Sequence, residues 1–243
     1  GQIPVLITVF ENLDEYEDGT VTPVENPDGI AFTEDRNVAI SVEETEEDGR
    51  YIHFEKTGNT SASYAATIPV TPSTAGETII TYKFRENQAN AKTYGFGVNT
   101  ASSGLMGVTW MHEGSRIVHE LSDGQYRQLG TYTVGEWNEI LLILNMDENT
   151  YDAVVNGALT LEGAAFTQTS DKQITNLSFG MYKGHNGTFD FKDLKVYTTR
   201  TPQATLSAED ITEDDSLQIR LTTSNVKNIP EGAHLQYRLT LPE

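Results

Sequence analysis

The sequence contains no cysteine, which excludes disulfides, thiolate metal sites and cysteine nucleophiles. Basic residues are also scarce, because 16 Lys and Arg stand against 36 Asp and Glu, giving a formal net charge of −20. This charge opposes the phosphate backbone of nucleic acids, so we expect no nucleic-acid partner. No apolar run approaches the roughly 18 residues of a membrane-spanning helix, so we also expect no membrane insertion.

The residues that are present are typical of a folded β protein. Charged residues make up only 21% of the 243 residues, too small a fraction for a disordered acidic chain. Thr, Gly, Asn, Tyr and Val are abundant, and most of these favour strands and turns. No signal peptide opens the sequence, and we expect any export signal to precede Gly1.

Short apolar or alternating runs recur along the chain with Gly, Asn, Asp and Ser between them. This spacing predicts an antiparallel β-sandwich jelly roll. Expected strands cover residues 51–55, 62–68, 77–85, 93–99, 106–112, 117–121, 139–145, 150–155, 158–161, 176–182 and 189–198. Asn156 and Gly157 predict a type I′ hairpin, since both central residues of that turn need positive φ. The run at 139–145 is apolar on both faces, so both faces should be covered.

The pattern changes near Pro202, where three further strand candidates follow, separated by an acidic loop and a turn. Three strands are too few for a complete immunoglobulin-like sandwich, which needs about seven. We therefore divide the chain into a jelly-roll domain over residues 1–200 and a short immunoglobulin-like β segment over residues 201–243. The segment is either the start of a second domain or an appendage docked on the first.

Three stretches carry a resemblance to a known family. They are FENLDEYEDG at 10–19, GEWNEI at 135–140 leading to YDAVVNG at 151–157, and FDFKDLKVY at 189–197. Together they resemble the concanavalin-like (laminin-G-like) jelly rolls that occur as carbohydrate-binding modules in bacterial polysaccharide-degrading enzymes and cell-surface proteins. The resemblance covers residues 5–198. It implies the fold but leaves the function open, because this fold hosts lectins, hydrolases, lyases and adhesion domains.

Sugar binding needs an aromatic face for the C–H surface of a sugar and planar polar groups for its hydroxyls. Trp110 is the first candidate, because it lies at the polar end of a predicted strand next to His112; the alternative is that it belongs to the core. Trp137 should pack structurally in the core, as the resemblance implies for a Gly-x-Trp strand entry. Secondary candidates, taken from the positions that border the ligand face in the resembling family, are Tyr94, Tyr182, Lys183 and His185.

Three of the few cations fall close to Trp110 in the sequence: Arg116, His119 and Arg127. If they line a groove with His112, they favour a polysaccharide that carries carboxylate or sulfate. The alternative is that they form surface ion pairs with the acidic residues nearby, Glu113, Glu120 and Asp123.

For metal, the resemblance implies a structural Ca²⁺ that joins the first and last strands, with Glu11 and Asp193 as ligands. Asp28 and Asp190 are additional candidates. Ca²⁺ takes about six to eight hard oxygen ligands. The stretch at 11–60, which holds 15 carboxylates and three basic residues, can supply them.

These patterns predict a non-catalytic carbohydrate-binding module that targets a polysaccharide. We expect it to be covalently linked to further domains of a larger secreted bacterial enzyme or surface protein, and to be extracellular or at the cell surface. No catalytic residue is assigned, because the acidic string at 11–17 lacks the alternation of a glycosidase motif. The alternatives are a structural or adhesive surface module without sugar binding, and a polysaccharide lyase or glycoside hydrolase.

Overall fold

The structure of the chain is a computed structural model. It describes residues 5–11, 19–20, 31–32, 38–58, 64–89, 93–112, 114–181, 186–200, 203–208 and 219–224. All regular secondary structure in these residues is β-strand, and the strands pair antiparallel, which confirms the all-β prediction. In this part of the chain no helix is long and apolar enough to cross a membrane.

The described residues form short and medium-length strands between Val5 and Ser224. In chain order they are β1 Val5–Glu11, β2 Gly19–Thr20, β3 Ala31–Phe32, β4 Val38–Thr45, β5 Gly49–Lys56, β6 Tyr64–Pro69, β7 Glu77–Glu86, β8 Thr93–Thr100, β9 Thr109–His112, β10 Arg116–Glu120, β11 Tyr126–Thr131, β12 Asn138–Asn145, β13 Thr150–Val155, β14 Ala158–Ala165, β15 Ile174–Met181, β16 Gly187–Arg200, β17 Gln203–Ala208 and β18 Ile219–Ser224.

Among the described residues these strands form two main sheets. The larger sheet has nine strands in the order β14-β13-β12-β7-β16-β5-β4-β2, with β1 also paired to β16. The smaller sheet has seven strands in the order β11-β10-β9-β8-β15-β6-β3. β17 and β18 make a separate two-stranded sheet within residues 201–243. The division into two domains stays a prediction.

Aromatic side chains join the inner faces of the two main sheets. The ring of Tyr82 in the larger sheet lies 4.7 Å from Phe96 and 4.9 Å from Phe179 in the smaller sheet, centroid to centroid. Phe179 also stacks on Phe191 of β16 at 4.1 Å. All four side chains are fully buried, so the core of the sandwich lies between the sheets, as expected for a jelly-roll type of fold.

β16 is the long strand around which the larger sheet is organised. Its first half pairs with β5 and its second half with β1, while β7 runs along its other side. The pairing with β7 shifts between Lys192 and Lys195, and Asp193 at this bulge has a φ of 54°. Because β1 pairs with β16, the first strand of the sandwich is hydrogen-bonded to its last strand.

The predicted hairpin at Asn156 and Gly157 is confirmed. Their φ angles are 48° and 79°, and the flanking residues Val155 and Ala158 are paired across the turn. Sequence reasoning missed the short strands β2 and β3 and the longer strands β4 and β11. In β4 the buried residues Ile40 and Val42 lie within the acidic stretch, and β11 is an edge strand in which only Leu129 is buried.

The strand β12 carries the two-faced apolar run. Its inward residues, represented by Ile140 and Leu144, are fully buried, whereas Leu141 and Ile143 on the other face are half-buried. Val154 stands opposite Leu141 on the neighbouring strand. The expected cover of both faces is therefore complete on the inner face and partial on the outer face.

A histidine bridges the two sheets inside the core. His119 is only 1% exposed; its Nδ1 lies 3.2 Å from the hydroxyl of Thr109, and its Nε2 hydrogen-bonds the hydroxyl of Tyr151 in the larger sheet. Burial keeps Tyr151 protonated by raising its pKa, and the same burial lowers the pKa of His119 to about 4. The imidazole is therefore neutral in the folded protein at pH 7.

Acid should destabilise the protein through His119. In the unfolded chain His119 takes up a proton near pH 6.5, whereas in the fold it does so only near pH 4. The stability that the neutral ring contributes is therefore complete above pH 6.5 and is lost as the pH falls towards 4, by about 3 kcal/mol. Urea unfolding of the wild type and of His119→Gln across this pH range measures the difference. A constant difference between the two proteins would contradict the assignment.

Candidate functional site

The alternation of the strands decides which side chains reach the outer face of the smaller sheet. Phe96 and Phe179 point into the core, so Gly97 and Ser178, the next positions on β8 and β15, belong to the outer face. Gly97 stands opposite Ser178, and Ser178 stands opposite Thr67 of β6. The centre of this face is therefore made of small and polar residues.

Asn99, Asn176 and Ser178 form a hydrogen-bonded group on this face, which we call the amide network. The amide nitrogen Nδ2 of Asn99 donates to Oδ1 of Asn176 at 2.9 Å and to Oγ of Ser178 at 3.1 Å. Within the described part of the chain, the hydroxyl hydrogen of Ser178 and Oδ1 of Asn99 have no hydrogen-bond partner. The network thus offers a hydroxyl donor on Ser178, a residue that is 8% exposed, and an amide acceptor on Asn99, and sugar hydroxyls bind groups of both kinds.

Glycines keep the floor beside the amide network low. A Cβ on Gly97 would lie 3.0 Å from Oγ of Ser178, closer than side chains normally pack. Gly95 and Gly180 stand opposite each other on the same two strands. The outer face therefore carries no large side chain at these positions of β8 and β15.

Tyr126 lies on the edge strand β11 at the other end of the same face. It is 64% exposed and stands opposite Glu120 of β10. It is the most exposed large aromatic residue in the described part of the chain. Sequence reasoning did not select Tyr126 for sugar binding. The available signal was a large aromatic in the polar run that follows the turn at Gly124.

The structure places Trp110 and His112 on β9 by register only. Trp110 stands opposite Val118 and His112 opposite Arg116, while their side chains lie outside what the structure describes. Tyr94 lies in β8, and its side chain is likewise outside what the structure describes. The remaining candidates fall outside the described residues: Tyr182, Lys183 and His185. Their roles in binding stay predictions.

The structure does not bring the three predicted cations together. Arg116 is exposed on the outer face, but His119 is buried in the core. Arg127 stands opposite His119, so its side chain leaves β11 on the inner side, at the exposed edge of the sandwich. A ligand on the outer face would therefore contact Arg116 without contacting His119 or Arg127.

A second polar cluster lies on the outer face of the larger sheet, and we call it the Arg85 cluster. Arg85 donates from Nε to Oδ2 of Asp190 and from Nη1 to Oδ2 of Asp48, both at 2.7 Å. Asp48 also accepts from Nε1 of Trp137 at 2.7 Å, and its backbone carbonyl accepts from Nζ of Lys192 at 2.5 Å. The cluster therefore fixes the turn between β4 and β5 on the sheet.

Trp137 packs in this cluster, outside the core. Arg85 lies 4.4 Å and Lys192 4.3 Å from the centroid of its rings, and Tyr51 contacts it edge-on at 5.7 Å. The expectation that Trp137 packs in the core is wrong, because its ring lies among charged side chains on the outer face of the larger sheet. These contacts leave its ring occupied by the protein's own cations.

His53 and Asp190 give the larger sheet one arrangement that resembles part of a catalytic site. Nδ1 of His53 lies 2.5 Å from Oδ1 of the buried Asp190, and this hydrogen bond raises the pKa of His53. Ser41 stands opposite His53 on β4, but its hydroxyl donates to Glu43 at 2.7 Å. Since a nucleophilic serine needs its hydroxyl bonded to the base, this geometry orients an imidazole without activating a nucleophile.

The predicted calcium ligands that the structure describes each contact a cation. Glu11 lies 3.3 Å from Lys195 and Asp193 lies 3.2 Å from Lys83, whereas Asp190 is held by Arg85. Asp28 lies outside the described residues. No group of three or more acidic or histidine side chains that could hold a metal occurs among the described residues. They therefore do not by themselves supply the ligand set that Ca²⁺ needs.

Comparisons with known proteins show similarity of structure but no match by sequence. No protein-family model matches the chain, and a search of curated proteins gives no match. A sialidase structure matches with a TM-score of 0.56 and 9% identity, over 69% of this chain and 16% of the sialidase. A mutant of Trypanosoma rangeli sialidase displaying trans-sialidase activity matches with a TM-score of 0.48 and 8% identity, over 66% of this chain and 27% of that one.

The alginate lyase AlyC3 matches with a TM-score of 0.48 and 8% identity, over 66% of this chain and 78% of the lyase. The chain spans 16% and 27% of the lengths of the two sialidases. At these identities the likeness to the sialidase with the higher TM-score shows a shared all-β sandwich fold and nothing finer.

Removing Arg85 should be far more costly than removing its neighbour on the same strand face. Arg85→Leu leaves Asp190, which is 2% exposed, without its guanidinium partner, and we expect a loss of about 3 kcal/mol in the free energy of unfolding. Lys83→Ala breaks an exposed ion pair and should cost about 0.5 kcal/mol or less. Urea denaturation measures both, and equal costs would contradict a structural role for the Arg85 cluster.

Proposed function

We propose that this chain is a non-catalytic carbohydrate-binding module that binds a polysaccharide on the outer face of the smaller sheet. The observation that carries the proposal is the amide network, fixed beside a glycine floor, with the exposed ring of Tyr126 on the same face. Amide and hydroxyl groups hydrogen-bond sugar hydroxyls, and an exposed aromatic ring packs against the C–H face of a sugar.

Two further observations support this choice over the alternatives. The Arg85 cluster satisfies its own charges, whereas the amide network leaves polar atoms available in the described part of the chain. The sialidase of similar fold is, by its name, a carbohydrate-processing protein. A structural or adhesive module would not need a preformed set of sugar-compatible groups beside an exposed tyrosine.

In function, the module would hold an attached enzyme or cell surface close to a polysaccharide. Affinity would come from ring packing and preorganised hydrogen bonds, with no covalent step. We place it in a larger secreted or surface-anchored bacterial protein, extracellular and linked to further domains. Trp110 and His112, which share β9 of this sheet, are proposed to extend the binding surface.

Affinity electrophoresis through gels that contain polysaccharides tests this function. We expect retardation on one class of polymer, and a loss of affinity of about tenfold or more in Tyr126→Ala, Asn176→Ala and Trp110→Ala, which corresponds to about 1.4 kcal/mol of binding energy. Tyr197→Ala removes a partly exposed tyrosine on the larger sheet and is the matched control. Absence of retardation across a broad panel would favour the structural or adhesive module.

We also propose a structural Ca²⁺ near the end of β1 and the bulge of β16, carried by the resemblance and by the exposed carboxylates of Glu11 and Asp193. A saturating ion would stabilise the fold by about 3 kcal/mol, so a chelator should lower the melting temperature by about 5 °C or more. Asp193→Asn should remove this shift, since Asn tolerates the positive φ at that position. An unchanged melting temperature with chelator would remove the calcium proposal.

A further inference from the structure

Uncharged groups dominate the outer face of the smaller sheet. In the described part of the chain, the polar side chains that its strands β6, β8, β11 and β15 present there include Thr67, Asn99, Gln128, Asn176 and Ser178. Each can donate or accept a hydrogen bond without a formal charge. The described charged side chains on this face are Arg116 and Glu120, both on β10.

The cation that remains on this face is a weak anchor for an anionic ligand. Arg116 already interacts with another group of the chain. Glu120 lies further along the same strand and carries the opposite charge. His119 lies in the core and Arg127 leaves the sheet edge on the inner side, so of the three predicted cations only Arg116 reaches this face.

The carboxylate of Glu120 also gives a negative electrostatic potential to the surface beside the exposed ring of Tyr126. The two residues are directly paired across β10 and β11, so their side chains leave the sheet on the same face. A sugar packed on Tyr126 would bring any carboxylate or sulfate of its own close to the carboxylate of Glu120, within the about 8 Å over which charges act at physiological salt. The net charge of −20 adds to this repulsion at low salt.

The proposed contact groups run across the strands. Tyr126 stands opposite Glu120 on β10, and two strands further on Gly97, Ser178 and Thr67 face one another across β8, β15 and β6. From β11 to β6 there are five strand spacings of about 4.8 Å, or about 24 Å in total. A surface of this length contacts several consecutive sugars, which favours an internal stretch of a chain over a single terminal sugar.

We infer that the ligand of this face is a neutral polysaccharide, bound along an internal stretch that crosses the strands from Tyr126 to the amide network. The inference rests on the proposed function and deepens it, because it names the class of polysaccharide. The sequence favoured an anionic polysaccharide on the condition that the cations line a groove, whereas the structure favours a neutral one. The discriminating groups are the uncharged amide network and the carboxylate of Glu120.

Polymers that share a backbone but differ in charge give the sharpest test. One pair is fully methyl-esterified and de-esterified homogalacturonan; the other is desulfated and sulfated carrageenan, run beside a panel of neutral glucans, xylans, galactans and arabinans. We expect retention of the wild type on a neutral polymer at least tenfold stronger than on any charged counterpart. That retention should not change when NaCl rises from about 50 to about 500 mM, because no ion pair is formed.

Variants separate the ligand class from the site. Asn176→Ala and Tyr126→Ala should weaken binding to the neutral polymer about tenfold, and Tyr197→Ala should leave it unchanged. Glu120→Gln should raise retention on the charged polymers relative to retention on the neutral polymer. If the wild type instead binds charged polymers best, with salt-sensitive affinity that Asn176→Ala abolishes, the proposed function stands and the neutral class is overturned.

Two other outcomes would overturn more than the ligand class. Retention that none of the smaller-sheet variants alters would place the binding surface elsewhere and overturn both the class argument and the proposed site. No retention on any polymer, with all variants folded by melting temperature, would overturn the proposed function itself.

Discussion

The stacking of Phe179 on Phe191, with centroids 4.1 Å apart and planes 5° from parallel, joins the two sheets at the centre of the molecule. Because side chains alternate along a strand, this contact also decides what each sheet shows to solvent. With Phe179 inward, Ser178 lies on the outer face of the smaller sheet. With Phe191 inward, Asp190 and Lys192 lie on the outer face of the larger sheet. A slip of one residue in either strand would exchange the core for the surface.

The two outer faces use polar groups in opposite ways. In the larger sheet, Arg85 is enclosed by Asp48, Asp190 and the ring of Trp137, and its hydrogen bonds to the two carboxylates raise its pKa against the opposing effect of burial. These charges stabilise one another and hold a turn. In the smaller sheet, the amide network has fewer internal partners and no charge. The first arrangement serves the fold, whereas the second is suited to a ligand.

Two histidines show how position alone sets protonation behaviour. Burial lowers the pKa of His119, so the stability it contributes is lost as the pH falls. The hydrogen bond to Asp190 raises the pKa of His53, so its contribution is present below about pH 6.5 and is lost as the pH rises through its higher folded value. Nothing in the sequence distinguishes these residues, since each lies in a strand that mixes polar and apolar residues.

The sequence by itself determined the properties that depend on neighbours along the chain. Turn chemistry fixed the hairpin at Asn156 and Gly157, and alternation predicted most strands. Only the tertiary structure decided which of the basic side chains lie close together in space. Arg116, His119 and Arg127 are close in sequence, yet strand alternation and the register between β10 and β11 send them to the surface, the core and the sheet edge. Conversely, Asn99 and Asn176 are 77 residues apart and become hydrogen-bonded partners because β8 and β15 are adjacent strands, a pairing set by the packing of the whole sandwich.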